Sequence, residues 1–248
     1  MEFLGRRVTS LFESFYQAHV AAHVGSVDVT FHAISGDATS VRGEGRHLEF
    51  GFTRHDRTKP GKADVHVQTG VPGPVFEHTL AHELLHVVSN VRRLPVPALR
   101  AGIPANAPEM GIVTDLITIE CVANDRTLVS LGFDHRYISQ TRVQRLMRRI
   151  TGTTGATDDL SRPWAVRTTL HYVRALLDSG PTAASEVRAS LDKLPRIRES
   201  GDKLYSEISP LDLQDHGHRL DALVLMRDNL GLIGMVDIIE PGVTGGVH

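Results

Sequence analysis

Two histidines that flank a glutamate, in the run His82-Glu83-Leu84-Leu85-His86, are the residues of this chain best suited to chemistry. Two histidines four positions apart lie on one face of an α-helix, so both imidazoles can bind the same metal ion. Glu83 stands beside them, where it can take a proton from a metal-bound water that attacks a carbonyl and pass it to the leaving amine. The run therefore predicts a hydrolytic metal site with His82 and His86 as ligands and Glu83 as general base.

The sequence around this motif is apolar on nearly every side. Leucine, alanine and valine fill the flanking positions: Leu80, Ala81, Leu84, Leu85, Val87 and Val88. Burying unpaired imidazoles and a carboxylate in such a helix is costly, and a bound metal ion is one way to avoid that cost. His78 lies one turn earlier on the same stripe. Three successive turns point along a line and do not converge, so we expect His78 beside the ligands and not among them.

In the motif helix and the segment after it, across residues 75–130, the chain resembles the HExxH zinc metallopeptidases, the zincins. The resemblance implies a small twisted sheet packed with the motif helix, a catalytic Zn²⁺ with one position open to water, and a protein or peptide substrate. Metzincins have glycine and histidine where this chain has Ser89 and Arg92, so that subclass does not fit. The run from Glu120 to Asn124 resembles, over a short stretch, the helix after the motif in ImmA/IrrE-like peptidases.

The third ligand is expected on the second helix. In gluzincins it is a glutamate, followed four positions later by an acidic residue that orients a ligating histidine. The resemblance implies Glu120 in the first role and puts Asn124 in the second, although an amide orients an imidazole more weakly than a carboxylate. Asp115 competes with Glu120. Five residues turn a helix by about 500°, so the two face about 140° apart and only one can bind. Glu120 sits mid-helix among apolar neighbours, whereas Asp115 can serve near the helix start as a capping carboxylate.

Other polar residues have weaker claims. A peptidase needs a donor for the oxyanion, and His135 and Tyr137 are candidates that no motif marks. Cys121 points about 100° away from Glu120, so we expect it to be a small buried side chain. Arginines also form a basic stripe, which we interpret as a solvated helix face and not a nucleic-acid contact: Arg142, Arg145, Arg148 and Arg149.

The elements that must position these residues follow from the spacing of apolar side chains. Residues 3–22 have helical periodicity, and alternation predicts strands near residues 27–31, 48–52 and 65–67, with turns at 36–45 and 58–61. A proline-rich loop is expected between residues 95 and 108, and helices over residues 75–91, 112–131, 138–150, 164–177, 183–194 and 211–230. The predicted fold is α+β and zincin-like: a small N-terminal sheet and the motif helix, then a mainly helical C-terminal part. We expect a catalytic domain at residues 1–151 and a helical subdomain packed on it at residues 160–240, or one continuous domain.

Composition limits the class of protein. The 41% hydrophobic and 23% charged residues exclude disorder as a global description, and a net charge of −2 argues against a protein built to hold nucleic acid. The single cysteine excludes an internal disulfide. The start of the chain lacks a signal-like apolar region, and no segment approaches the ~20 apolar residues of a membrane span, so we expect a cytoplasmic protein without a membrane partner. The alternative to a peptidase is a regulatory or partner-binding protein that keeps the metal site.

Overall fold

The computed structural model describes residues 1–34, 50–55, 61–104, 107, 109–152, 157–179 and 181–241. The chain divides into two compact units that interleave along the sequence. The first unit comprises Met1–Arg93 and Asn124–Ile138, and the second comprises Leu94–Ala123 and Ser139–His248. The predicted division into residues 1–151 and 160–240 as separate domains stays a prediction.

The first unit begins with a hairpin and not with the predicted helix. Strand β1 (Glu2–Phe3) pairs antiparallel with β2 (Arg6–Arg7). Leu4 and Gly5 join them with φ angles of 51° and 74°, which an α-helix cannot contain. The helical stretch starts only after Thr9, whose side chain accepts a hydrogen bond from the Phe12 amide. It consists of α1 (Ser10–Phe15), a π-helical turn (Tyr16–Val20) and α2 (Ala21–Val24).

A three-stranded sheet follows, with strands where alternation predicted them. Its members are β3 (Asp28–Ile34), β4 (Gly51–His55) and β5 (Lys62–Gln68). Their order is β3-β5-β4, with β3 parallel and β4 antiparallel to the central β5. The predicted turn at residues 36–45, the predicted strand residues 48 and 49, and residues 58–60 of the second turn lie outside the described residues.

The motif helix α3 (Gly73–Val91) confirms the predicted helix and begins two residues earlier than expected. Pro72 precedes it and Pro74 lies in its first turn, where a missing amide hydrogen costs nothing and the fixed φ favours helix. The helix is buried on nearly every side. Its apolar residues share one core with β5, α1 and α2, including Phe76, Leu80, Leu84, Val65, Val67 and Phe12. Packing therefore holds the motif rigidly.

Close packing of β4 on α3 requires a glycine at position 51. A Cβ added there would lie 2.7 Å from Cγ2 of Thr79 and 3.1 Å from Cγ of Glu83. We expect Gly51→Ala to lower the free energy of unfolding by about 1–3 kcal/mol, since β4 must shift away from the motif helix. Urea denaturation measures this, with Gly70→Ala as the control because an added Cβ there meets nothing within 4 Å. Equal effects of the two substitutions would contradict the packing argument.

The second unit is mainly helical, as predicted for the C-terminal part. Its helices are α4 (Met110–Ser130), α5 (Arg136–Thr151), α6 (Pro163–Asp178), α7 (Pro181–Ala189), α8 (Pro195–Ile208) and α9 (His216–Asn229). The end of α4 from Asn124 on and the start of α5 up to Ile138 belong to the first unit. Two strands, β6 (Val96–Leu99) and β7 (Val236–Ile239), pair antiparallel. Helix α8 and both strands were not predicted. Pro195 lies in the first turn of α8, where proline is favoured.

The arginine stripe on α5 does not form the expected solvated face. The Arg142 guanidinium lies 2.7 Å from Oδ2 of Asp178, and the two side chains are only 6% and 1% exposed. Arg149 Nε donates to Oγ1 of Thr168 at 2.9 Å. A buried charge without its partner is strongly destabilising, so Arg142 is a structural residue of the second unit.

The protein is thus α+β, as predicted from its sequence. Among the helices of the described residues, none combines the length and the apolar character needed to cross a membrane.

Candidate metal centre

The two motif histidines present nitrogen atoms to one another on α3. Nε2 of His82 and Nε2 of His86 lie 3.1 Å apart, so one ring can donate to the other, and both nitrogens can reach a single metal ion when neither carries a proton. His82 is buried and His86 is half-buried. One helix turn separates the residues, so the backbone itself brings the rings together. This pair fits a metal ion as the sequence predicted.

Asp125 on α4 contacts the other side of the His82 ring. Its Oδ1 lies 2.6 Å from Nδ1 of His82, and the carboxylate is 1% exposed. With the proton on Nδ1 donated to Asp125, the lone pair of His82 is on Nε2, which faces His86. Asn124, the residue predicted to orient the histidine, instead donates its amide to the backbone oxygen of His82 at 3.4 Å. The carboxylate that orients the ring is therefore one residue further along.

Glu83 is positioned by the neighbouring edge of the sheet. Thr53 Oγ1 on β4 lies 2.9 Å from Oε2 of Glu83 and 3.0 Å from its backbone oxygen. Glu83 is buried. A hydroxyl hydrogen bond to one carboxylate oxygen restricts the side chain and leaves the other oxygen available to a reacting group, as a general base requires.

Three histidines surround Asp125. Besides the contact with His82, Nε2 of His78 lies 3.5 Å from Oδ1, and Nε2 of His135 lies 3.7 Å from Oδ2. His135 was a predicted oxyanion donor and His78 a predicted neighbour of the ligands. The ligand atoms of His78, Asp125 and His135 lie within 4.8 Å of one another, and all three residues are buried, so this group can hold a metal ion.

The two candidates for the third ligand lie in the second unit, each beside basic residues. Oδ2 of Asp115 is 2.6 Å from Nε of Arg167, and Oδ1 is 3.4 Å from Nε2 of His171. Burial alone would raise the pKa of Asp115, but hydrogen bonds from His171 and Arg167 outweigh it and hold the pKa below its ordinary value. Glu120 Oε1 lies 3.8 Å from Nη1 of the buried Arg219. Asp115 is therefore held by an ion pair within the second unit, and its role as a ligand stays an untested alternative to Glu120.

Comparison with known proteins gives no assignment. No family model matches the chain, and no match was found among curated proteins or among solved structures. The resemblance to zincins therefore stays a prediction from the sequence motif.

His135 lies beside Asp125 in the segment between α4 and α5, and Tyr137 follows in the first turn of α5. Tyr137 is half-exposed and its ring packs on Phe50, with centroids 5.4 Å apart. Asp134 is exposed, and hydrogen bonds from Arg136 lower the pKa of its carboxyl to about 2. Tyr137 as an oxyanion donor stays a prediction.

Thr53 and Asp125 are the site residues that sequence reasoning missed. Nothing in the sequence marks Thr53, because its role depends on how β4 packs against α3. Asp125 had a signal: Val122 and Leu128, three residues to either side, are apolar and buried, so the helix face that they share is inward.

Proposed function

We propose that the protein is a zinc-dependent, zincin-like metallopeptidase whose metal is held by His82 and His86. The observation that carries the proposal is that the Nε2 atoms of His82 and His86 lie next to each other. Asp125 contacts Nδ1 of His82 from the opposite side of the ring, and Glu83 follows His82 in the same helix. Buried imidazole and carboxylate groups of this kind can hold a metal ion, and imidazole nitrogen is a preferred ligand of zinc.

Each residue of the site has a distinct task. Zinc, when bound, supplies Lewis acidity that polarises a carbonyl and lowers the pKa of water. Glu83 accepts the proton of the attacking water and delivers it to the leaving amine. Asp125 keeps the Nδ1 proton of His82 in place, so that Nε2 stays a ligand atom. Thr53 fixes the rotamer of Glu83.

A peptide substrate is supported by the strand beside Glu83. Within the described residues β4 is one of the two edge strands of its sheet, and Thr53 on this strand contacts Glu83. An extended peptide can add to such an edge through main-chain hydrogen bonds. A scissile peptide bond next to β4 would then lie near the general base.

The third protein ligand remains a proposal, and two neighbouring residues of α4 compete for it. Counting back from Asp125, Cys121 is four residues away and lies about 40° round the helix, whereas Glu120 is five away and lies about 140° round. The predicted ligand Glu120 also has Arg219 beside it. Cys121 lies one turn before Asp125, which contacts the His82 ring, whereas Glu120 lies one turn before Asn124, which contacts only the His82 backbone. The Cys121 thiolate is a suitable zinc ligand.

Conservative substitutions separate these two ligands. Helix register leads us to expect that Cys121→Ser weakens zinc binding more than tenfold, while Glu120→Gln changes it by less than about threefold. Competition with a chromophoric chelator measures both affinities on purified protein. A large loss in Glu120→Gln with none in Cys121→Ser would restore the glutamate predicted from the sequence.

The function itself is tested by metal analysis and hydrolysis. Purified protein should contain zinc, and it should cleave members of a peptide mixture scored by mass spectrometry. Phenanthroline should abolish cleavage and added Zn²⁺ should restore it. Absence of bound metal in the purified, folded protein would overturn the proposal. Stoichiometric metal without cleavage would instead favour the regulatory or partner-binding alternative.

A further inference from the structure

We infer that the first unit contains a second metal site, formed by His78, Asp125 and His135, that binds a divalent cation such as Zn²⁺ separately from the His82–His86 pair. Its residues come from α3, from α4 and from the segment between α4 and α5. The inference concerns binding alone and does not require peptidase activity.

The distances suit ligands of one ion better than hydrogen-bond partners of one another. Nε2 of His78 is 3.5 Å from Oδ1 of Asp125, and Nε2 of His135 is 3.7 Å from Oδ2. Hydrogen bonds between nitrogen and oxygen are mostly 2.7–3.2 Å long, whereas ligands on a tetrahedral zinc with bonds of about 2.0–2.1 Å lie about 3.4 Å apart. In contrast, the 2.6 Å contact from Asp125 to His82 is a direct hydrogen bond.

Burial strengthens the argument. The side chains of His78 and Asp125 are 0% and 1% exposed, and that of His135 is 10% exposed. A carboxylate at such depth must be compensated by a cation or by strong hydrogen bonds. The set of two imidazoles and one carboxylate is a typical ligand set for zinc, with a fourth position left for water.

Asp125 would belong to both sites at once. Its Oδ1 accepts from His82, while Oδ2 faces His135. A cation bound to Asp125 would link α3, α4 and the following segment, and would moderate the charge that Asp125 presents to His82. The second ion is therefore a stabilising and tuning element, and not a partner in the reaction.

The experiment counts ions in variants that damage one site each. His86 is not part of the second group and His135 is not part of the first, so His86→Ala and His135→Ala are matched. The chelator-treated 248-residue protein is titrated with Co²⁺ and followed by its visible spectrum. We expect about two equivalents for the unsubstituted protein and about one for each variant, with distinct spectra. The control variant is His218→Ala, since His218 is a half-exposed histidine of α9; this variant should keep both ions.

Other results decide differently. If His135→Ala binds as many ions as the unsubstituted protein, or if the folded variant loses both ions, no separate second site exists. If His86→Ala binds as many ions as the unsubstituted protein while His135→Ala binds one fewer, the second site stands and the proposed catalytic metal falls. If circular dichroism shows that His135→Ala does not fold, His135→Asp replaces it, because this variant keeps a ligand oxygen. The Co²⁺ spectrum of one of the two bound ions must then shift. An unchanged spectrum would overturn the inference.

Discussion

Glu83→Gln is expected to lower kcat by about 10²–10⁴-fold while zinc content and fold stay unchanged. Glutamine has nearly the same shape, and its side-chain oxygen can still accept the hydrogen bond from Thr53. It cannot take the proton of the attacking water, so only the base function disappears. The measurement is peptide cleavage at saturating substrate, with zinc quantified on the same sample.

Glu77→Gln provides the matched control for this experiment. Glu77 lies on the same helix and is also buried, but its carboxylate accepts from the backbone amide and the hydroxyl of Thr9. This variant should keep its cleavage rate even if it is less stable. Unchanged activity in Glu83→Gln, or an equal loss in both variants, would remove Glu83 from the role of general base.

The motif and its helix could be predicted because both depend on local sequence. Two histidines one turn apart, apolar flanks and a proline in the first turn are all read within the 19 residues of α3. The strands of the sheet were predictable for the same reason, since alternation is local. The hairpin at the start was not, because Leu4 in a left-handed conformation is rare for a non-glycine residue.

The partners of the motif could not be predicted with the same precision. Which residues of α4 contact the motif depends on how two helices pack. Neighbouring residues point about 100° apart around a helix, so an error of one position selects a different face. Choosing Glu120 and Asn124 as the functional pair placed the orienting residue one position before Asp125, which contacts His82. The pairing of β6 with β7 joins Val96 to Ile239, a separation that no local pattern reports.

Asp125 is the residue on which the largest effect on metal binding is expected. We predict that Asp125→Asn weakens zinc binding at the His82–His86 pair by about 10–100-fold, since a neutral amide holds the Nδ1 proton of His82 less firmly. Binding at the inferred second site should fall further, because a neutral amide oxygen replaces its anionic ligand. Thermal stability with zinc present should therefore decrease more than stability of the chelated protein.

The decisive comparison is between activity at limiting and at saturating zinc. If Asp125 acts by orienting His82, Asp125→Asn should lose cleavage at limiting zinc and recover most of it when zinc is raised, unlike Glu83→Gln, which should recover none. Asp134→Asn is the control: this exposed aspartate lies close along the chain but pairs with Arg136, so zinc affinity should not change. Wild-type zinc affinity in Asp125→Asn would show that the 2.6 Å contact with His82 does not control the metal.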